Sequence, residues 1–130
     1  MNSDLLVNET EKSNEDVIID LSYLKSFSND DKEFEEDLLK SSLTDVEQKM
    51  EELQKSVLLK DGRKIMQTAH SLKSVSAIIG INVLYEQFKA IEISHLEKGY
   101  SSDTELQISN VSALWQRAKI KLEALIAEYS

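Results

Sequence analysis

The sequence predicts an all-α fold: an antiparallel four-helix bundle with a short N-terminal capping helix. Three observations carry that expectation. The 130 residues include no proline and only three glycines, whereas strand-and-turn architectures need those residues at their many turns. Apolar residues recur at alternating steps of four and three over long stretches, a spacing that keeps one buried seam along each helix of a left-handed bundle. The hydrophobic fraction, 41%, suits a packed core and is too high for a disordered chain.

Each element follows in order. Residues 1–16 are polar apart from Leu5-Leu6-Val7 and have no period, so they read as a flexible tail, with the bundle spanning 17–130. Asp20 before Leu21, Leu24 and Phe27 predicts a short capped helix, and Ser28-Asn29-Asp30-Asp31 a break with a new cap. A long helix is expected from Asp31 to about Leu59, with a seam of Leu39, Leu43, Val46, Met50, Leu53 and Val57. Asp61-Gly62 marks a turn. The next helix runs from about Arg63 to Ile79 on Ile65, Ala69, Leu72, Ser76 and Ile79, and Gly80 closes it as a C′ residue does. Asn82 caps a helix built on Leu84, Phe88, Ile91 and His95, which Gly99 ends. Asp103 or Thr104 starts the last helix, with a seam of Ile108, Val111, Trp115, Ala118, Leu122, Leu125 and Tyr129.

Charge and composition narrow the function. The net charge is −9, and no Lys/Arg cluster is present to neutralise phosphates, so neither nucleic acid nor an anionic membrane is the expected partner. The partners are expected to be proteins. With no cysteine, thiolate metal sites and disulfides are excluded. No segment reaches the length of a membrane span, and Met1 to Thr10 has no signal-peptide pattern. The expectation is a cytoplasmic, free-standing monomer.

The stretch from Gln67 to Gly80 carries the chemistry. On the helical wheel His70 lies roughly 140° from Ile65, off the core seam. Its neighbours on the C-terminal side, Ser74 and Ala77, are small, and Lys73 stands three residues on. Neutral imidazole is an available nucleophile near neutral pH. A phosphoryl group placed on it would add negative charge, which the Lys73 ammonium could offset. Helices meeting at a tight turn are antiparallel, so reflecting His70 through Ile81 reaches Glu92, with Lys89 one turn away. A carboxylate at Glu92 that accepts the proton of one ring nitrogen would orient the ring and raise the basicity of the other nitrogen. His95, in the seam, reads as a core or C-terminal capping residue, and a zinc site joining it to His70 lacks further ligands.

The run Ala69-His70-Ser71-Leu72-Lys73-Ser74, with Gly80 following, resembles the signature of histidine-containing phosphotransfer (HPt) domains, and the resemblance extends from about Val17 to Tyr129. It implies a phosphorelay intermediate, a carrier rather than an enzyme, that accepts a phosphoryl group from a receiver-domain phospho-aspartate and passes it to another receiver aspartate. His70 would be the phosphoacceptor, Lys73 the phosphoryl-stabilising cation and Glu92 the candidate orienter. Response-regulator receiver domains and a hybrid histidine kinase would be the partners. No cofactor is expected on the chain itself, and magnesium would belong to the receiver. Ser74 stands where the family usually has glycine, leaving somewhat less room for the partner. Docking would draw on Leu24 and Phe27 of the first helix, on Ser74, Ala77 and Gly80, and on Lys89. The alternative is a helical adaptor that binds a receiver or kinase without carrying phosphate.

Overall fold

The computed structural model describes residues 17–130; the expected tail, 1–16, lies outside the described residues. Among the described residues five helices follow one another: α1 (Ser22–Ser28), α2 (Lys32–Leu58), α3 (Gly62–Ile78), α4 (Asn82–Lys98) and α5 (Ser102–Ala127). The helices α2 to α5 pack in a ring, each against its sequence neighbours and α5 back against α2, which is the up-down topology that short connections impose. The helix α1 sits across one end, against α2 and α3. No described helix is long and apolar enough to cross a membrane.

Local chemistry explains the helix ends. Asp31 and Asp61 each cap a helix by accepting from the backbone three residues on, at Phe34 and Lys64. The turn before α3 therefore lies one residue earlier than expected, with Lys60 in the left-handed region and Gly62 already helical. The last helix starts at a reciprocal capping box between Ser101 and Thr104. Asp20 is not the N-cap of α1. Its carboxylate accepts from the Ser22 backbone and hydroxyl, closing an Asx turn one step before the helix.

The interior is apolar at its centre, where Leu39, Val46, Leu53, Ile65, Leu72, Leu84, Phe88, Val111, Trp115 and Leu122 are buried. Trp115 donates its indole N–H to Glu47 at 2.6 Å, which ties α5 to α2. The buried stripe of α2 departs from the expected seam. Ser42 and Ser56 are buried where Leu43 and Val57 are only partly so. A small residue facing a neighbouring helix lets the backbones approach, and the leucine and valine then cover the flank.

The α1 end is held by polar clamps. The Lys121 ammonium donates to the Val17 carbonyl at 2.7 Å, and the Asp20 N–H to the Gly80 carbonyl at 2.9 Å. At the other end of α1 lies Glu35, whose side chain has no exposed surface. The Ser28 hydroxyl donates to it at 2.5 Å, the Tyr129 hydroxyl at 2.8 Å and the Lys25 ammonium at 3.3 Å, with the Lys32 ammonium 3.7 Å away. The hydroxyls of Ser28 and Tyr129 bring the Glu35 carboxyl down to about 2, against the burial that would raise it. Asp20, bonded to Ser22, is lowered as well. A carboxyl with a depressed folded-state pKa stabilises the fold fully above its ordinary value, here 4.5 for Glu35, and the effect is lost as pH falls toward the folded value. Hydrogen-exchange protection of the α1 amides, corrected for intrinsic rates, is therefore expected to fall between pH 4.5 and 2 before that of α3. Equal loss across both helices would contradict this.

Candidate functional site

The site is carried by the facing flanks of α3 and α4, the most extensively packed helix pair. With Ala69 and Leu72 in the core, the intervening turn of α3 places His70 outward, and its side chain is 65% exposed. Glu92 does the same on α4, beside the buried Phe88 and Ile91, but lies deeper, at 14% exposure.

Three side chains meet there. His70 Nδ1 lies 2.9 Å from Glu92 Oε2, and Lys73 Nζ lies 2.8 Å from Glu92 Oε1. The carboxylate is thus shared between an imidazole and an ammonium on successive turns of α3. Burial works against its ionisation, but the pairs with Lys73 and His70 outweigh it and hold the carboxyl below its ordinary range. Pairing with Glu92 likewise raises Lys73. Lys73 therefore does not stand free beside the ring. It reaches the ring through Glu92, because the half-buried carboxylate is the nearest counter-charge. Among the described residues the second ring nitrogen, Nε2, has no hydrogen-bond partner, and the side chain stands largely in solvent.

The approach to the ring is open on one side. Ser74 and Ala77, the next residues along that flank, are exposed. The Ser74 hydroxyl turns back to the His70 carbonyl at 3.3 Å, so it does not project outward. Ala77 leads into a groove of about 510 Å³ between α1, α3 and α4, where Tyr23 and Tyr85 form walls and Asp20, Ser76 and Gly80 also line it. Lys89 is exposed one turn before Glu92. Among the described residues, no three His, Asp or Glu side chains converge as metal ligands would.

One expected docking residue takes another role. Leu24 has no exposed surface. It is the apolar foot of α1 in the core, since a seven-residue helix must bury its largest aliphatic side chain to be held at all. Gly80 lies ten residues, about 15 Å, along the chain from His70; it lines the same groove as Ala77, and the Asp20 carbonyl lies directly over it. Phe27 is 43% exposed and stacks edge-to-face with Tyr23 and Phe34. Tyr23 and Tyr85 went unrecognised in the sequence. The signal for Tyr23 was an aromatic four residues before Phe27, on the flank of α1 beside Leu24.

The comparisons with known proteins agree with this arrangement. The family model described as Hpt domain matches residues 37–128. The fold is similar to histidine-containing phosphotransfer protein B of Pseudomonas aeruginosa PAO1, with a TM-score of 0.77 and 21% identity, covering 86% of this chain and 96% of that one. It is also similar to the HPT domain of a sensor hybrid histidine kinase from Shewanella, with a TM-score of 0.71 and 18% identity over 83% of this chain and 89% of that one. No curated protein matches. An all-helical bundle with an outward histidine and a family match over most of its length identify the chain as a member of the Hpt domain family, with a phosphotransfer role in two-component phosphorelays.

Proposed function

We propose that the chain is a phosphoryl carrier whose acceptor atom is Nε2 of His70. The observation that carries this reading is the division of labour on the ring: Nδ1 lies 2.9 Å from Glu92 while the ring itself is largely in solvent. With its proton on Nδ1 and donated to Glu92, the imidazole keeps its lone pair on Nε2. That lone pair attacks phosphorus as the P–O bond to the receiver aspartate breaks. The aspartate leaves as a carboxylate, and the ring, now bonded to phosphorus, carries positive charge that Glu92 balances. Transfer to a second receiver runs the same step in reverse, with a new aspartate as nucleophile. No proton has to leave the site, so the protein contributes positioning and charge balance. Turnover then depends on the partner, as expected of a carrier rather than an enzyme.

The partner in this reading is a receiver domain, free or within a hybrid histidine kinase, and the magnesium ion belongs to that domain's acidic pocket. The carrier acts as a cytoplasmic monomer. The groove beside Ala77, edged by Tyr23 and Tyr85, with Phe27 and Lys89 nearby on the surface, is where the receiver seats.

Incubation with a panel of phosphorylated receiver domains tests the reading. An acid-labile, alkali-stable label on His70 is expected from at least one of them. Label on another residue, or on none across the panel, would sink it.

Lys73 adds a second test. Its ammonium keeps Glu92 ionised and lies within one turn of the incoming phosphoryl group. Lys73→Ala is expected to slow transfer about tenfold, the equivalent of one charge-assisted hydrogen bond. The receiver dissociation constant should stay within about twofold, since Lys73 is mostly covered. Single-turnover rates alongside a binding titration separate the two effects, and unchanged rates would remove Lys73 from the mechanism.

A further inference from the structure

The phosphotransfer step makes no use of Glu35, yet Glu35 is a carboxylate with no exposed surface. Burying a charge is unfavourable unless its hydrogen bonds are complete, and an apolar side chain of similar volume would often stabilise more. What Glu35 gathers is specific. Ser28 and Lys25 come from α1, Tyr129 from the end of α5, and Glu35 itself stands in the first turn of α2. Three segments are joined at one carboxylate.

The element it pins is weakly held otherwise. The helix α1 has seven residues, too few to be stable alone, and Leu24 is its one buried large apolar side chain. Its N-terminal side is fastened through Asp20 to Gly80, and its C-terminal side through Glu35. The outward face of α1 presents Tyr23, 58% exposed, and Phe27. Their rings meet edge-to-face at 5.3 Å, and Phe27 meets Phe34 of α2 at 6.2 Å. Tyr23 forms one wall of the groove that Ala77 and Tyr85 share. A change in the tilt of α1 would therefore move one wall of that groove. Residues 37–128, which match the family model, include neither α1 nor Glu35, so this device lies outside the matched segment.

Resting on the carrier reading above, we infer that Glu35 is a positioning residue for receiver docking: it clamps α1 so that Tyr23 and Phe27 face the partner at a fixed angle at the end of the groove that Ala77 shares. It touches neither the phosphoryl group nor the ring, so its effect should fall on encounter and not on chemistry.

The test uses full-length Glu35→Gln, which keeps the volume and removes the charge. A small phosphoryl donor, phosphoramidate, labels His70 without docking, and that rate is expected to match the wild type. Transfer from a receiver that labels the wild type is expected to show KM raised about fivefold or more, with kcat within about twofold. Amide exchange should accelerate across Ser22–Ser28 and not in α3. An unchanged KM overturns the inference. So does a parallel loss of phosphoramidate labelling, which would mean a general structural role. Should the Gln variant fail to fold by circular dichroism, Tyr129→Phe and Ser28→Ala each remove one hydroxyl, and a KM rise of about twofold is then the expected reading. A wild type that binds a receiver yet takes no label defeats the carrier reading alone. Glu35 is then judged by the variant's receiver affinity, and an affinity equal to the wild type overturns it.

Discussion

His70→Gln is expected to reduce phosphoryl labelling from every receiver to background while leaving the fold and receiver binding intact. The first half follows from chemistry. An amide nitrogen has its lone pair delocalised into the carbonyl and does not attack phosphorus, and no second histidine is placed to substitute. His95 is buried, with its ring against Gly62 and Tyr100. The second half follows from exposure. The His70 side chain is 65% solvent-exposed, and substitutions at such positions usually change stability by no more than about 0.5 kcal/mol. The glutamine amide can still donate a hydrogen bond to Glu92, so the Glu92–Lys73 pair keeps its surroundings. Labelling and binding should be measured on the same preparation, with circular dichroism as the check on folding. Acid-labile label persisting on the variant would exclude His70 as the acceptor. Signal output that survives without label would favour an adaptor that works by binding alone.

The second large effect concerns stability. In Gly80→Ala the new Cβ would sit 1.7 Å from the Asp20 carbonyl oxygen, at a backbone φ of +73°. Neither burden can be relieved by rotating a side chain, because the obstacle is backbone. The left-handed conformation alone is unfavourable by about 1 kcal/mol for a residue with a Cβ. Moving the 17–21 lead-in away also breaks the Asp20 N–H to Gly80 carbonyl bond, adding about 1 to 2 kcal/mol with its unsatisfied groups. A loss of about 3 kcal/mol is expected, or roughly 10 °C in Tm for a domain of this size. A fall of no more than about 4 °C, the share of the left-handed φ alone, would show that the approach of Asp20 is not a clamp.

Much of this arrangement is visible in the amino-acid order, for a definable reason. A helix of known period has a known angular position for every residue, and a tight turn fixes relative height. Those two rules place His70 off the seam and Glu92 level with it, and in the structure the two side chains meet at 2.9 Å. The seams of α3 and α4 are legible on the same grounds, since Ile65, Ala69, Leu72, Ser76, Leu84, Phe88 and Ile91 are all buried. The long α2 is less so. A wheel that scores only hydrophobicity prefers Leu43 and Val57 to the buried Ser42 and Ser56, because it does not register how closely two backbones approach.

The sequence by itself determines the helices, the bundle and the flank that displays His70, because period, caps and turn residues act between near neighbours along the chain. Three features are decided by tertiary structure alone. Lys73 pairs with Glu92 at 2.8 Å rather than standing free, Leu24 is core rather than surface, and Glu35 is a buried junction of three helices. Each depends on which side chain from a distant part of the chain arrives at the same point. Charge pairing and burial are settled by that meeting, and no local pattern encodes it.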